Sequence, residues 1–413
     1  MRIMVYSHDT FGLGNIRRML AICEHLLEEI PQLSILLLSG SPMLQGFRLP
    51  RGLDYIKLPC LNRGSSGELA AKYLGMDVDN TVKMRSELIF SAVVNFQPDL
   101  FLVDKKPLGI KNELTAAINY LHDKLPQTKL ILLLREILDI PERTIHEWQK
   151  NQYNQVICKF YQLLLIVGSQ KVFDFCEEYK LPDIVASKVR FCGYIRRFQN
   201  CKISTTIRQE LELAAVEKLV VVTPGGGQDG YQLINTYLQG QELLNNSQYR
   251  IKSLIFCGPE MPKKQKQELY QAAAKFPQVQ MREFTDDLIS YLSAADAVVS
   301  MGGYNTICEI LSAEKSAVVV PRIKPSQEQL IRSQRMQNLG LLISIHPENL
   351  TSEALIMQLF QILNNPLKSQ KIELEGLSGI THHIRDLLVD KITDIQPDIT
   401  YSEPNPIHEF LAS

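Results

Sequence analysis

Short apolar runs alternate with helical patterns along almost all of this 413-residue chain, in two successive series. The first series has apolar runs at 3–6, 34–38, 100–103, 130–134 and 163–167, with helical patterns at 15–29, 113–121 and 170–179. The second has runs at 219–223, 253–256, 297–300, 317–320 and 341–344, with helical patterns at 231–238, 262–274, 304–312 and 327–339. Short continuous apolar runs suit parallel strands buried on both faces, and such strands need crossover helices to cover them. Two arrays of this kind predict two doubly wound α/β domains. The length agrees, since it exceeds what one core usually holds. The expected division is 1–195, a linker at 196–217 where the strand pattern is lost, 218–375, and a C-terminal helix with an irregular tail over 376–413. The tail after Asp394 is polar and Pro-rich, which supports irregular structure.

Composition narrows the partners. With 45% hydrophobic and 22% charged residues the chain has the make-up of a globular protein, and a net charge of −1 gives no reason to expect nucleic acid. The eight cysteines include no CxxC pair, and several sit in apolar runs; they read as reduced thiols of a cytoplasmic protein, not as zinc ligands. The first ten residues read as a strand, being too short an apolar run for a signal peptide, and no run reaches the length of a membrane span. Peripheral membrane contact is left open by the loop at 45–52, although a plain surface loop is the commoner meaning of such a segment.

The candidate chemistry lies directly after strands, where a doubly wound sheet forms its crevice. Two glycine-rich loops open the two series: Ser7 to Arg18, with Gly12 and Gly14, and Thr223 to Gly230, with Gly225, Gly226 and Gly227. Neither matches a Walker loop or a full dinucleotide fingerprint. A third segment, Val298 to Leu311, runs from an apolar strand through Gly302-Gly303 into a helix carrying Glu309. A fourth empties into a polar stretch with Gln327, Glu328 and Gln329. A glycine turn at a helix N-terminus can hold a diphosphate, with carboxylate and amide groups placed for sugar hydroxyls.

These four motifs, FGLGN, GGGQDG, MGGYNTICEIL and PSQEQ, resemble in order and spacing those of family-28-like glycosyltransferases of the GT-B fold. Known members add N-acetylglucosamine to a lipid-linked peptidoglycan precursor, or glucose and galactose to diacylglycerol. The segments 103–114 and 132–142 are similar to those of a bacterial group of predicted glycosyltransferases. The resemblance implies two Rossmann-like domains facing each other across a cleft. It also implies an inverting, metal-independent hexosyl transfer from a nucleoside diphosphate sugar, UDP-linked, to a lipid or glycan hydroxyl, with no cofactor.

By the same resemblance, Gly302, Gly303, Tyr304, Asn305 and Thr306 hold the donor diphosphate, and Gly225, Gly226 and Gly227 line the donor phosphate side of the cleft. Glu309 takes the ribose hydroxyls, Phe284 and Thr285 the base, and Glu328 and Gln329 the transferred sugar. Gly12, Gly14, Asn15, Lys105 and Arg135 fall on the acceptor side. The family places a histidine at the position of Asn15, and an amide cannot act as a base. His8 and Asp9 are the nearest titratable substitutes. The Asp77-Val78-Asp79 string matches the metal-binding DxD of other transferases, but it opens a helix pattern and reads as a cap. A sugar-nucleotide 2-epimerase and a non-catalytic nucleotide-sugar binder are the alternatives.

Overall fold

The computed structural model describes residues 1–8, 13–63, 68–196, 201–367 and 371–389. Asp9, Gly12 and the segment after Asp394 lie outside the described residues. The first sheet contains β1 (Arg2–Ser7), β2 (Ser34–Ser39), β3 (Leu53–Lys57), β4 (Leu100–Asp104), β5 (Lys129–Arg135), β6 (Leu163–Val167) and β7 (Val189–Phe191). Its order is β3-β2-β1-β4-β5-β6-β7, all parallel. The second contains β8 (Glu217–Thr223), β9 (Arg250–Phe256), β10 (Val279–Arg282), β11 (Ala297–Ser300), β12 (Ala317–Val319) and β13 (Ile343–Ser344), in the order β10-β9-β8-β11-β12-β13. Both sheets run outward from their first strand in one direction and then reverse. Each therefore has a switch point, between β1 and β4 and between β8 and β11, where the loops part and leave a crevice.

Alternation on a strand buried on both faces feeds two cores. On β1, Ile3 and Val5 enter one cluster while Met4 and Tyr6 enter another. On β8, Leu219 and Val221 face the cluster shared with β1, and Val220 and Val222 the opposite one. Helix α1 (Leu13–Glu29) covers the first sheet with Ile16, Met19, Ile22, Cys23 and Leu26, a 3.6-residue apolar stripe. None of the eight cysteines forms a disulfide, and five of them are buried.

The helix expected over 170–179 differs from the sequence expectation, whereas the cap expected at Asp77 is present. A helix, α2 (Val78–Phe96), follows Asp77, whose carboxylate accepts the Asn80 N–H at 2.8 Å; Asp77 is thus an N-cap, and Asp79 pairs with Lys111. The helix expected over 170–179 shrinks to Phe175–Glu178. The Ser169 carbonyl accepts the Val172 and Phe173 N–H groups in a turn, and Asp174 caps the helix only at Cys176 and Glu177. In the loop at 45–52, Phe47 and Leu49 pack onto the core, so its apolar side chains are not offered to a lipid surface. The last described helix, Gly376–Leu387, returns to the first domain and packs on α1. Gly376 N–H bonds the Tyr194 carbonyl, and Ile195 forms a bridge with Glu375.

A buried charged group ties the first sheet to α2. Arg85 donates from Nε and Nη2 to the two oxygens of Glu113 at 2.6 and 2.7 Å, and from Nη1 to the Pro59 carbonyl. The Tyr6 hydroxyl of β1 donates to the same carboxylate at 2.5 Å and accepts the Ile110 N–H at 3.2 Å. Both charged side chains are fully buried.

Candidate active site

The two switch points face each other across a cleft of about 280 Å³. On the second-domain side, Gly303 caps helix α3 (Tyr304–Ser312), whose first turn carries Tyr304, Asn305 and Thr306 into the cleft. The first N–H groups of a helix have no partner within it, and the helix dipole adds positive potential there. Glu309, five residues after the turn begins, also lines the cleft although it is only 5% exposed. Beside it on the same side lie Gly225, Gly226 and Gly227, where a Cβ on Gly225 would come within 3.3 Å of Thr306 Oγ1. Gly225 and Gly227 have φ of 77° and 93°, and a Cβ on Gly227 would strike the Cys257 carbonyl, so this loop lies flat against the end of β9.

Phe284 is 48% exposed in the cleft, an apolar ring with no core to cover it. Next to it Thr285 Oγ1 accepts the Asp287 N–H at 3.1 Å, fixing the loop. Glu328 and Gln329 open helix α4 (Glu328–Asn338). Gln329 Oε1 accepts the Arg322 N–H at 3.0 Å. Burial works to raise the Glu328 carboxyl, but Arg135, Arg332, Arg322 and Lys105 outweigh it and hold it below the usual carboxylate range. Arg135 of the first domain is its nearest partner, at 2.9 Å.

Gly302 is placed differently. It does not line the cleft; a Cβ there would come within 3.2 Å of Gln329, so its role is close packing of the β11 turn on α4.

On the first-domain side, Gly14, Asn15 and Arg135 line the cleft. Asn15 Nδ2 donates to the His8 carbonyl at 3.0 Å, and Asn305 Nδ2 reaches across the cleft to the Gly14 carbonyl, also at 3.0 Å. His8 itself is buried and stands behind the lining residues. Desolvation first, then Lys105, Lys106, Arg85 and Arg18, hold its imidazole well below the ordinary histidine range, so it is neutral at pH 7. Lys105 also stands back from the lining; burial, aided by Arg135, pushes its ammonium down to about 8, and its φ is 73°. Arg17, Arg18, Asp229, Glu260 and Arg322 line the cleft without having been singled out in the sequence. Arg17 and Arg18 close the first glycine-rich segment, a position that could have marked them. Arg322 and Asp229, paired at 3.2 Å, are 93 residues apart and carry no local signal.

Two doubly wound domains with a glycine-lined helix N-terminus at their shared cleft define the GT-B class. Residues 219–384 match the glycosyltransferase family 28 C-terminal domain. The family match thus covers the second domain, and the chain as a whole has the GT-B fold. One relative is the UDP-N-acetylglucosamine–N-acetylmuramyl-(pentapeptide) pyrophosphoryl-undecaprenol N-acetylglucosamine transferase of Haemophilus ducreyi. It is 23% identical over 171 residues, covering 41% of this chain and 46% of the relative. The chain thus spans about half the length of the curated relatives it matches. The crystal structure of Acinetobacter baumannii MurG superposes with a TM-score of 0.57 at 13% identity, over 94% of this chain and 99% of that one. The UDP-GlcNAc 2-epimerase of Neisseria meningitidis, bound to UDP-GlcNAc, gives 0.60 at 11% identity over 94% and 100%. At such identities the likeness establishes the fold.

Proposed function

We propose that this chain is an inverting, metal-independent glycosyltransferase that moves a hexosyl group from a UDP-sugar to a hydroxyl acceptor. The observation that carries the reading is the joint presentation, in one cleft, of the α3 N-terminus, the buried Glu309 carboxylate and the exposed Phe284 ring. These suit a diphosphate, a ribose and a base in turn. The acceptor oxygen attacks the anomeric carbon from the face opposite the diphosphate. As that bond forms, the bond from the anomeric carbon to the diphosphate oxygen breaks, and the configuration inverts. The acceptor's proton passes to a base of the first domain, for which we propose His8. The leaving diphosphate's negative charge is met by the α3 N–H groups and by cleft arginines, an electrostatic term already in place before reaction.

A lipid or glycan hydroxyl is the proposed acceptor. Tyr73, Leu74 and Met76 are exposed just before α2, and Met84 and Leu88 are exposed one turn apart on it. This apolar set supports peripheral contact with a lipid surface. No helix among the described residues is long and apolar enough to cross a membrane.

The epimerase reading needs free acid and base groups in the cleft. Among the described residues, the first-domain carboxylates Asp104 and Glu136 are instead buried in ion pairs with Arg18 and Arg332 at 2.7 Å each. Mass spectrometry after incubation with UDP-N-acetylglucosamine and lipid or glycan acceptors separates the outcomes. Free UDP with a new glycoside supports transfer, a same-mass isomer means epimerisation, and unchanged donor that nevertheless binds means a binding protein. Glu309→Ala removes charge-assisted hydrogen bonds worth roughly 1.5–3 kcal/mol, so donor kcat/KM should drop by about 10- to 150-fold. An unchanged value would remove Glu309 from the donor site.

A further inference from the structure

Glu136 and Arg332 lie outside the donor-binding set, yet they link it to the opposite domain. Glu136 directly follows β5, Arg332 sits on α4, and both side chains are fully buried. Arg332 Nε donates to Glu136 Oε1 at 2.7 Å. The same guanidinium donates from Nη1 to the Gly302 carbonyl at 3.1 Å, in the turn that opens α3. Its carbon lies 5.5 Å from the centroid of the Tyr304 ring, the first residue of α3.

The first domain grips Glu136 from two further sides. The Tyr194 hydroxyl donates to Oε1 at 3.1 Å, and the Tyr194 ring packs 5.9 Å from that of Tyr304. Gly168 passes so close that a Cβ there would come within 2.5 Å of the Glu136 Cβ. Opening the cleft would part Glu136 from Arg332 and leave each buried charge to find water separately, a costly step for an ion pair. The pair therefore joins the two sides of the cleft as they lie here, and its guanidinium reaches the donor turn through Gly302 and Tyr304.

We infer that Glu136 and Arg332 are positioning residues: first-domain contact through Glu136 sets the Gly302–Tyr304 turn, so the diphosphate cradle takes its working shape only when the cleft closes. The identity of the ligand rests on the transferase reading; the mechanical link between Glu136 and the turn does not.

Hydrogen exchange and calorimetric titration of Glu136→Gln, Arg332→Met and Arg332→Lys test both parts. In ligand-free protein, peptides covering α3 should exchange about tenfold faster in the first two variants, because the Ile307 N–H that bonds the Gly303 carbonyl is the first bond of that helix. UDP affinity should fall about tenfold while uridine affinity changes by less than about threefold, and Arg332→Lys should recover part of the UDP loss. Equal losses for UDP and uridine, or unaltered exchange in α3, would reduce the pair to an interdomain staple and overturn the inference. If the wild type binds neither nucleotide nor nucleoside while the variants still exchange faster, the transferase reading falls and control of the turn by Glu136 stands. Glu136→Gln keeps size and hydrogen-bonding shape, so a folded variant is available even if Arg332→Met misfolds.

Discussion

Arg85→Met is expected to destabilise the first domain by about 3–5 kcal/mol, a cost set by what it leaves behind and not by the methionine. Arg85 and Glu113 have no solvent exposure, and the guanidinium makes two parallel bonds to the carboxylate and one to the Pro59 carbonyl. Methionine fills much of the space but returns none of those donors. Glu113 would then keep only the Tyr6 hydroxyl, and a buried carboxylate so poorly satisfied must either bind a proton or draw in water. Trp148 is the chain's single tryptophan and is buried in the first domain, so its fluorescence reports this domain's unfolding in urea. The midpoint should fall while the slope stays unchanged. Adding Glu113→Gln should restore part of the loss, since the orphaned charge is gone; a double variant no better than the single would show that the loss comes from packing. A loss under about 1 kcal/mol in Arg85→Met would sink the argument.

What could be read from the residues in order, and what could not, follows from how far each signal extends. The central strands were legible because a strand covered on both faces must be apolar throughout, as in ILLLS of β2 or LVVVT of β8. The edge strands β3, LDYIK, and β10, VQMR, escaped notice because partly exposed residues there carry Asp54, Lys57, Gln280 and Arg282. Helix α2 was read only at its cap; its apolar positions are interrupted by Lys83, Arg85 and Glu87, and Arg85 is an inward-facing charge that no local pattern explains. The donor half of the cleft was legible because its groups follow strands at short, local offsets. Glu136 and Arg332 are separated by 196 residues, and neither has a neighbour that marks it as buried or paired. Gly302 shows the limit within a motif: a glycine pair suggested two ligand contacts, while one of the two serves backbone packing.

His8→Ala is expected to lower sugar transfer by about 10²- to 10⁴-fold, the usual contribution of a general base, with donor KM changed by less than about threefold. The imidazole sits at the end of β1, at the switch point of the first sheet, and is bordered by two elements that reach the cleft. Its N–H backbone group bonds Asp104 at 3.3 Å, and its carbonyl is held by Asn15, a lining residue. Nδ1 is buried and has no hydrogen-bond partner among the described residues. An unsatisfied ring nitrogen on a neutral imidazole is able to accept a proton, through one water, from an acceptor hydroxyl seated beside Asn15. The pH dependence follows with a definite sign. A base works when deprotonated, so transfer should fall as pH drops through the histidine pKa, which desolvation and the surrounding cations hold well below the usual value. The acid limb of kcat/KM in the wild type should accordingly lie below about 6.5. His8→Ala should remove that limb along with the rate. Binding of UDP should be unchanged, since Gly303, Glu309 and Phe284 all belong to the other domain. Transfer within threefold of wild type would assign the proton to another group and leave His8 as the residue that shapes the first glycine loop through its carbonyl bond to Asn15.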